Sequence, residues 1–124
     1  MILGIGCDLI EIARVKRQLA EDPELGRALF TESELAYANG KRYPERHLAA
    51  RFAAKEALLK ALPGPRLDSI PWTDMEVQQS DSGRPALQLT GKLRTLADTL
   101  GVTSTHVSLC HEGGFALAFV ILET

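Results

Sequence analysis

The chain opens on an apolar run, Met1-Ile2-Leu3-Gly4-Ile5-Gly6-Cys7, that breaks on Asp8, and beyond it apolar residues recur at three- and four-residue spacing as Ile12, Val15 and Leu19. This change of period predicts a short strand followed by an amphipathic helix. Asp8 and Glu11 have the spacing of a capping box, which places the helix start at Asp8. A short helical stretch is expected from Asp22-Pro23-Glu24 through Leu25 and Leu29. Thr31-Glu32-Ser33-Glu34 then marks the capped start of a third helix, which ends near Asn39-Gly40. From about residue 45 a long helix runs until Pro63-Gly64-Pro65 stops it. Residues 72–79 and 86–90 read as strands around the turn Ser80-Asp81-Ser82-Gly83-Arg84-Pro85, and residues 91–100 as a helix stopped by Gly101. Residues 105–110 and 115–122 close the chain as a second hairpin around Gly113-Gly114. Helices cluster early and strands late, so the expected class is α+β, with the helices of the N-terminal half packed on an antiparallel sheet in one domain over residues 1–124. The final run, Phe115 to Leu122, is apolar at successive positions, as a strand covered on both faces would be.

Composition narrows the classes. A net charge of −2 argues against a sequence-independent nucleic-acid binder. No segment reaches the length of a membrane span and the N-terminal apolar run lacks a basic leader, so a cytoplasmic protein is expected. The two cysteines, Cys7 and Cys110, lie in apolar runs without metal-site or disulfide spacing, and read as buried free thiols. On the first helix Arg14, Arg17 and Gln18 share the face opposite the Ile12/Val15/Leu19 stripe. That face is either an ordinary solvated one or a platform for an acidic partner.

Candidate chemistry concentrates in Arg51-Phe52-Ala53-Ala54-Lys55-Glu56-Ala57-Leu58-Leu59-Lys60. Glu56 and Lys60 are (i, i+4) neighbours with Phe52 one turn before, so one side of the helix offers an apolar anchor, an anion and a cation. The spacing suits a grip on a metal ion and a phosphate, and equally suits plain helix support. Asp8, at a strand-to-helix junction, is a natural hard-metal ligand as well as a cap.

Gly4-Ile5-Gly6-Cys7-Asp8-Leu9-Ile10-Glu11-Ile12-Ala13-Arg14-Val15 and the Arg51 to Ala57 run followed by Lys60-Ala61 together resemble the holo-acyl-carrier-protein synthases, small 4′-phosphopantetheinyl transferases. Phe30-Thr31-Glu32-Ser33-Glu34-Leu35, Gly83-Arg84-Pro85 and His106-Val107-Ser108-Leu109-Cys110-His111 extend the similarity over nearly the whole chain. The resemblance implies attack by a carrier-protein serine on the β-phosphate of coenzyme A, which transfers 4′-phosphopantetheine and releases adenosine 3′,5′-bisphosphate. It implies Mg²⁺ held by Asp8 and Glu56, with Lys60 stabilising phosphate charge. It further implies coenzyme contacts from Arg51, Lys55, Lys60, Gly83, Arg84, Pro85 and His111. Acyl carrier protein would dock on the Arg14/Arg17 face, and the assembly would be a homotrimer. His106 reads as structural, and His47 has little claim to a role. The group that takes the serine proton stays open between a water on the divalent ion, Glu56 and His111. Where the family carries a Gly-Thr-Gly-Ile loop, this chain has Leu62-Pro63-Gly64-Pro65-Arg66-Leu67, whose prolines remove backbone donors and leave Arg66 as a substitute phosphate ligand. The rival readings are a non-catalytic nucleotide- or carrier-protein-binding module and an Mg²⁺-dependent nucleotide phosphohydrolase.

Overall fold

The structure, a computed structural model, describes residues 1–64 and 69–124. The chain enters through β1 (Ile2–Glu11) and continues into α1 (Ile12–Glu21), α2 (Leu25–Leu29), α3 (Glu32–Asn39) and the long α4 (Pro44–Ala61). One turn of 3₁₀ helix at Trp72–Asp74 leads to β2 (Met75–Gln79) and β3 (Pro85–Leu89). After these come α5 (Gly91–Thr99), β4 (Ser104–Glu112) and β5 (Phe115–Glu123). The fold is α+β as expected, but its strands form two antiparallel sheets: a three-stranded sheet in the order β1-β5-β4, and the β2-β3 hairpin. Gly113 and Gly114 join β4 to β5 with φ of 58° and 84°, the left-handed pair that a two-residue hairpin turn requires.

The first helix begins later than the Asp8–Glu11 spacing suggested. Strand pairing of β1 with β5 runs on through Asp8↔Ala118 to Glu11↔Phe115, and the Ile12 N–H bonds the Gly114 carbonyl at 2.9 Å. Glu11 is the N-cap of α1 and makes no side-chain cap bond, so the Asp8–Glu11 capping box does not form. A ladder of backbone bonds to β5 outweighs one side-chain cap, and Asp8 stays on a strand. The second capping box does form: Thr31 Oγ1 accepts the Glu34 N–H at 3.2 Å and Glu34 Oε1 accepts the Thr31 N–H at 3.0 Å.

Strand alternation sorts β5 into two faces. Ala116, Ala118, Val120 and Leu122 are buried, while Phe115 and Phe119 on the other face are about two-fifths exposed, at 42% and 41%. Register places Ile5 beside Ile121, Cys7 beside Phe119 and Leu9 beside Leu117, so the outer face is an apolar surface that this chain leaves uncovered. Burial of β5 on both faces therefore does not occur within one chain. Cys7 and Cys110 both lie on this outer face and are exposed, contrary to the burial expected of them. Cys7 shares the parity of Ile5 and Leu9, and Cys110 pairs with Leu117.

The inner face packs on α4. That helix buries Ala49, Ala50, Ala53, Ala54, Ala57, Leu58 and Ala61, mostly side chains of one methyl group. Across from them β1 presents Gly4 and Gly6, and the backbones nearly touch. A Cβ on Gly6 would sit 1.7 Å from the Ala57 carbonyl oxygen, and one on Gly4 1.8 Å from that of Ala61.

This contact makes two glycine substitutions differ in sign. Gly6→Ala must push α4 off the sheet and is expected to cost about 3 kcal/mol, the upper end of overpacking penalties. In Gly26→Ala the new Cβ would meet only the Leu35 and Leu19 methyls at 3.8 and 3.9 Å. It should stabilise by up to about 1 kcal/mol through helix propensity. Urea midpoints of the two variants against the parent chain check both.

Candidate active site

The close approach sets Asp8 against α4. Asp8 lies on the inner side of β1, in register with buried Ala118, and Lys60 reaches across from α4 to meet it. The Lys60 ammonium donates to Asp8 Oδ1 at 2.8 Å and to the Cys7 carbonyl at 3.2 Å. That hydrogen bond to Asp8 raises the Lys60 pKa, with the charges of Asp8 and Glu56 adding to it and slight burial opposing. The side chains are 16% exposed for Asp8 and 51% for Lys60, so the pair is open to an incoming ligand. Asp8, Glu56 and Lys60 line one groove of about 620 Å³ with Arg14 and Gln18; Phe52, Leu19, Leu25 and Leu29 form its apolar wall.

This donor set fits a magnesium ion. Among the described residues no cluster of three or more His, Cys, Asp or Glu side chains forms a closed cage. Mg²⁺ commonly takes only one or two carboxylates from protein and fills its remaining positions with phosphate oxygens and water; of the four carboxylates that line the groove, Asp8 and Glu56 share it with Lys60, and Glu21 and Asp22 lie at the end of α1.

A second groove, about 740 Å³, opens on the other side of α1. Ile12, Ala13 and Lys16 line it with Glu45, Arg46 and His111, whereas Arg14, Val15 and Gln18 face the first groove. Arg17 is exposed on the outer side of α1. His111 therefore does not join Asp8, Glu56 and Lys60, and instead belongs to a cationic neighbourhood that the sequence reading missed. Burial lowers the His47 pKa, and the charges of Arg51, Lys41, His111 and Arg46 lower it further. Tyr37 sits among them, with the Lys41 ammonium 4.8 Å and the Arg51 guanidinium 4.2 Å from its ring centroid and the His47 ring edge-on at 5.5 Å. The signal was present in residues 41–47. Lys41, Arg42 and Arg46 crowd the start of a long helix, where the macrodipole already disfavours cations, and such crowding points to an anion.

The expectation that Lys55 reaches a phosphate is corrected. Its ammonium is fully buried and donates to Glu34 Oε1 at 2.6 Å, the Leu29 carbonyl at 2.7 Å and the Trp72 carbonyl at 3.3 Å. These bonds occupy all three of its donors. Burial lowers the Lys55 pKa while Glu34 holds it up. Arg51 is likewise beneath the surface, 2% exposed, with its Nε unpartnered among the described residues, and it lines neither groove. Both face inward because α4 is buried on most of its circumference.

Gly83, Arg84 and Pro85 form the β2–β3 turn, closed by the Gly83 N–H to the Ser80 carbonyl at 2.8 Å. Arg84 and Pro85 line a third cleft of about 400 Å³ against Thr105 to Leu109 of β4, apart from the Asp8 groove. His106 pairs with Glu123, in keeping with a structural role. Arg66 lies outside the described residues.

Comparison with known proteins matches residues 4–120 to the profile of the 4′-phosphopantetheinyl transferase superfamily. The chain is 49% identical over 122 residues to the holo-[acyl-carrier-protein] synthase of Streptomyces avermitilis, covering 98% of each chain. Among solved structures it resembles the holo-[acyl-carrier-protein] synthase of Neisseria meningitidis, with a TM-score of 0.91 and 27% identity over 100% of both chains. It also resembles the Chronobacterium ammoniagenes enzyme solved with coenzyme A, at 0.85 and 30% over 96% of this chain and 95% of that one.

His47 supplies a pH test of the cationic neighbourhood. Its folded pKa lies below the unfolded value of about 6.5, so the unfolded chain binds more protons between the two values, and stability falls as pH drops through that window. Urea midpoints at about pH 7.5 and pH 5.5 should fall less in His47→Gln than in the parent chain.

Proposed function

Because the chain belongs to the 4′-phosphopantetheinyl transferase superfamily, we propose that it transfers 4′-phosphopantetheine from coenzyme A to a serine of an acyl carrier protein in the cytoplasm, releasing adenosine 3′,5′-bisphosphate. The observation that carries this reading is the convergence of Asp8, Glu56 and Lys60 on one groove with Arg14 at its edge. The serine oxygen forms a bond to the β-phosphorus, the bond from that phosphorus to the bridging oxygen breaks, that oxygen departs on adenosine 3′,5′-bisphosphate, and the serine proton passes to solvent water. Asp8 and Glu56 would hold Mg²⁺, which when bound supplies neutralising charge at the phosphates. Lys60 stands within reach of the same phosphates. Its ammonium is kept charged by Asp8 and meets the negative charge that gathers on the departing phosphate, the kind of pre-set electrostatic aid worth about 10²–10³ in rate. The apolar wall at Phe52 and Leu29 keeps bulk water from one side of the groove.

Arg14 at the edge of this groove and Arg17 on the exposed outer side of α1 present cations, a surface suited to the acidic carrier protein. The cationic neighbourhood at His111 and Arg46 suits a further phosphate of the coenzyme, and Arg84 and Pro85 its adenine end. The uncovered outer sheet face of Ile5, Leu9, Phe115 and Phe119 supports assembly into a homotrimer, because a contiguous apolar face is covered in a stable protein.

Three outcomes are expected. Incubation with coenzyme A, Mg²⁺ and an apo carrier protein should add one phosphopantetheine to the carrier by mass. Asp8→Ala and Glu56→Ala should each remove this gain with the fold intact, since Asp8 caps no helix; adenosine 3′,5′-bisphosphate released without carrier labelling would instead favour a hydrolase. Phe119→Asp, which sets a charge in the middle of the outer face, should shift the mass in light scattering from three chains to one.

A further inference from the structure

The most enclosed charged cluster in the described chain is absent from the mechanism above. Glu34 Oε1 accepts from Lys55 and from the Thr31 N–H, and Glu34 Oε2 accepts the Val77 N–H at 2.9 Å. Lys55 in turn holds the carbonyls of Leu29 and Trp72. One ion pair thus joins α2, α3, α4, β2 and the 3₁₀ turn, with every donor of the lysine used.

Its placement matters because of what α4 otherwise offers. The helix packs through alanines, which supply little shape to define how it is turned about its axis. The glycine contact at Ala57 and Ala61 sets how near α4 comes to β1. Lys55 projects from the opposite side, roughly 200° from Ala57 at 3.6 residues per turn. Glu56 and Phe52 lie between these two attachments and face the groove. The pair also holds two walls of that groove by other routes: Leu29 through its own carbonyl, and Phe52 through Trp72, whose ring packs on it at 5.2 Å.

We propose that the buried Lys55–Glu34 pair is a positioning device that sets the rotation of α4, and so aims the Glu56 carboxylate toward Asp8 and holds the Phe52 and Leu29 wall in place. A fully bonded polar junction specifies one arrangement where alanine packing permits several, and an ion pair is worth more for such specificity than for stability. This rests on the assignment of Asp8 and Glu56 as the divalent-ion ligands.

The test uses Mn²⁺ titrated into the enzyme with coenzyme A and no carrier, followed by the electron paramagnetic resonance of free ion. Glu34→Gln/Lys55→Met removes both charges together and keeps the volume, so it avoids stranding one buried charge. It is expected to weaken Mn²⁺ binding by about 10- to 100-fold, as removal of an outer support does, and to lower kcat more than it raises the KM for coenzyme A. A folded double variant that binds Mn²⁺ as the parent does would overturn the proposal. A second measurement needs no variant. If the pair positions the ion ligands, the ion must stabilise the pair equally, because coupling is reciprocal. Hydrogen exchange at the Thr31 and Val77 amides, both donors to Glu34, should slow when Mg²⁺ is added to the coenzyme complex. Unchanged exchange with Mg²⁺ bound would overturn the proposal even if the double variant does not fold. Failure of the parent enzyme to bind either ion would remove the ligand assignment itself, and the proposal with it.

Discussion

The contact on which the rest of this structure depends is the near-touching of two backbones, α4 against β1 at Gly4 and Gly6. A strand and a helix can come this close only where neither carries a side chain larger than a methyl group at the crossing, and Ala57 and Ala61 meet that condition on the helical side. The consequence is chemical as well as mechanical. With α4 this near, a lysine one turn beyond Glu56 spans to the end of β1 and bonds both the Asp8 carboxylate and the Cys7 carbonyl. A side chain at either glycine would force the strand and helix apart and carry Asp8 away from Glu56 and Lys60.

The two lysines of α4 illustrate how environment divides one chemistry. Lys60 is half exposed, and its pair with Asp8 is screened by solvent and available to ligands. Lys55, five positions earlier, is fully enclosed with Glu34, where loss of one partner would strand the other's charge. Solvent separates the adaptable pair from the fixed one. The same logic applies across α1, whose two sides border an acidic groove with a cationic edge and a second groove of mixed charge, where Lys16, Arg46 and His111 stand with Glu11, Glu45 and Glu112.

Much of this was legible in the chain because local rules govern it. Glu56 and Lys60 sit on one side of a helix by spacing alone, the Thr31–Glu34 capping box is a local exchange of hydrogen bonds, and Gly113-Gly114 encodes its turn in two residues. Other features misled for an equally definite reason. Asp8 and Glu11 carry a capping pattern, yet the strand continues past Asp8 because its partner, β5, lies at the far end of the chain. Cys7 and Cys110 sit in apolar runs that suggest burial, and only sheet register shows that their face is the uncovered one.

The sequence by itself determined the element types, the α+β class and the carboxylates and lysine that meet in the groove, since these follow from spacing, turn chemistry and recognisable runs of residues. Only the tertiary structure decided that Lys55 is buried against Glu34 and does not reach a phosphate, and that His111 belongs to another groove with Arg46. An alanine-rich helix carries almost no hydrophobic stripe to orient it. Its inward and outward faces are set by the glycines of a distant strand and by a glutamate on another helix, contacts that no local pattern records.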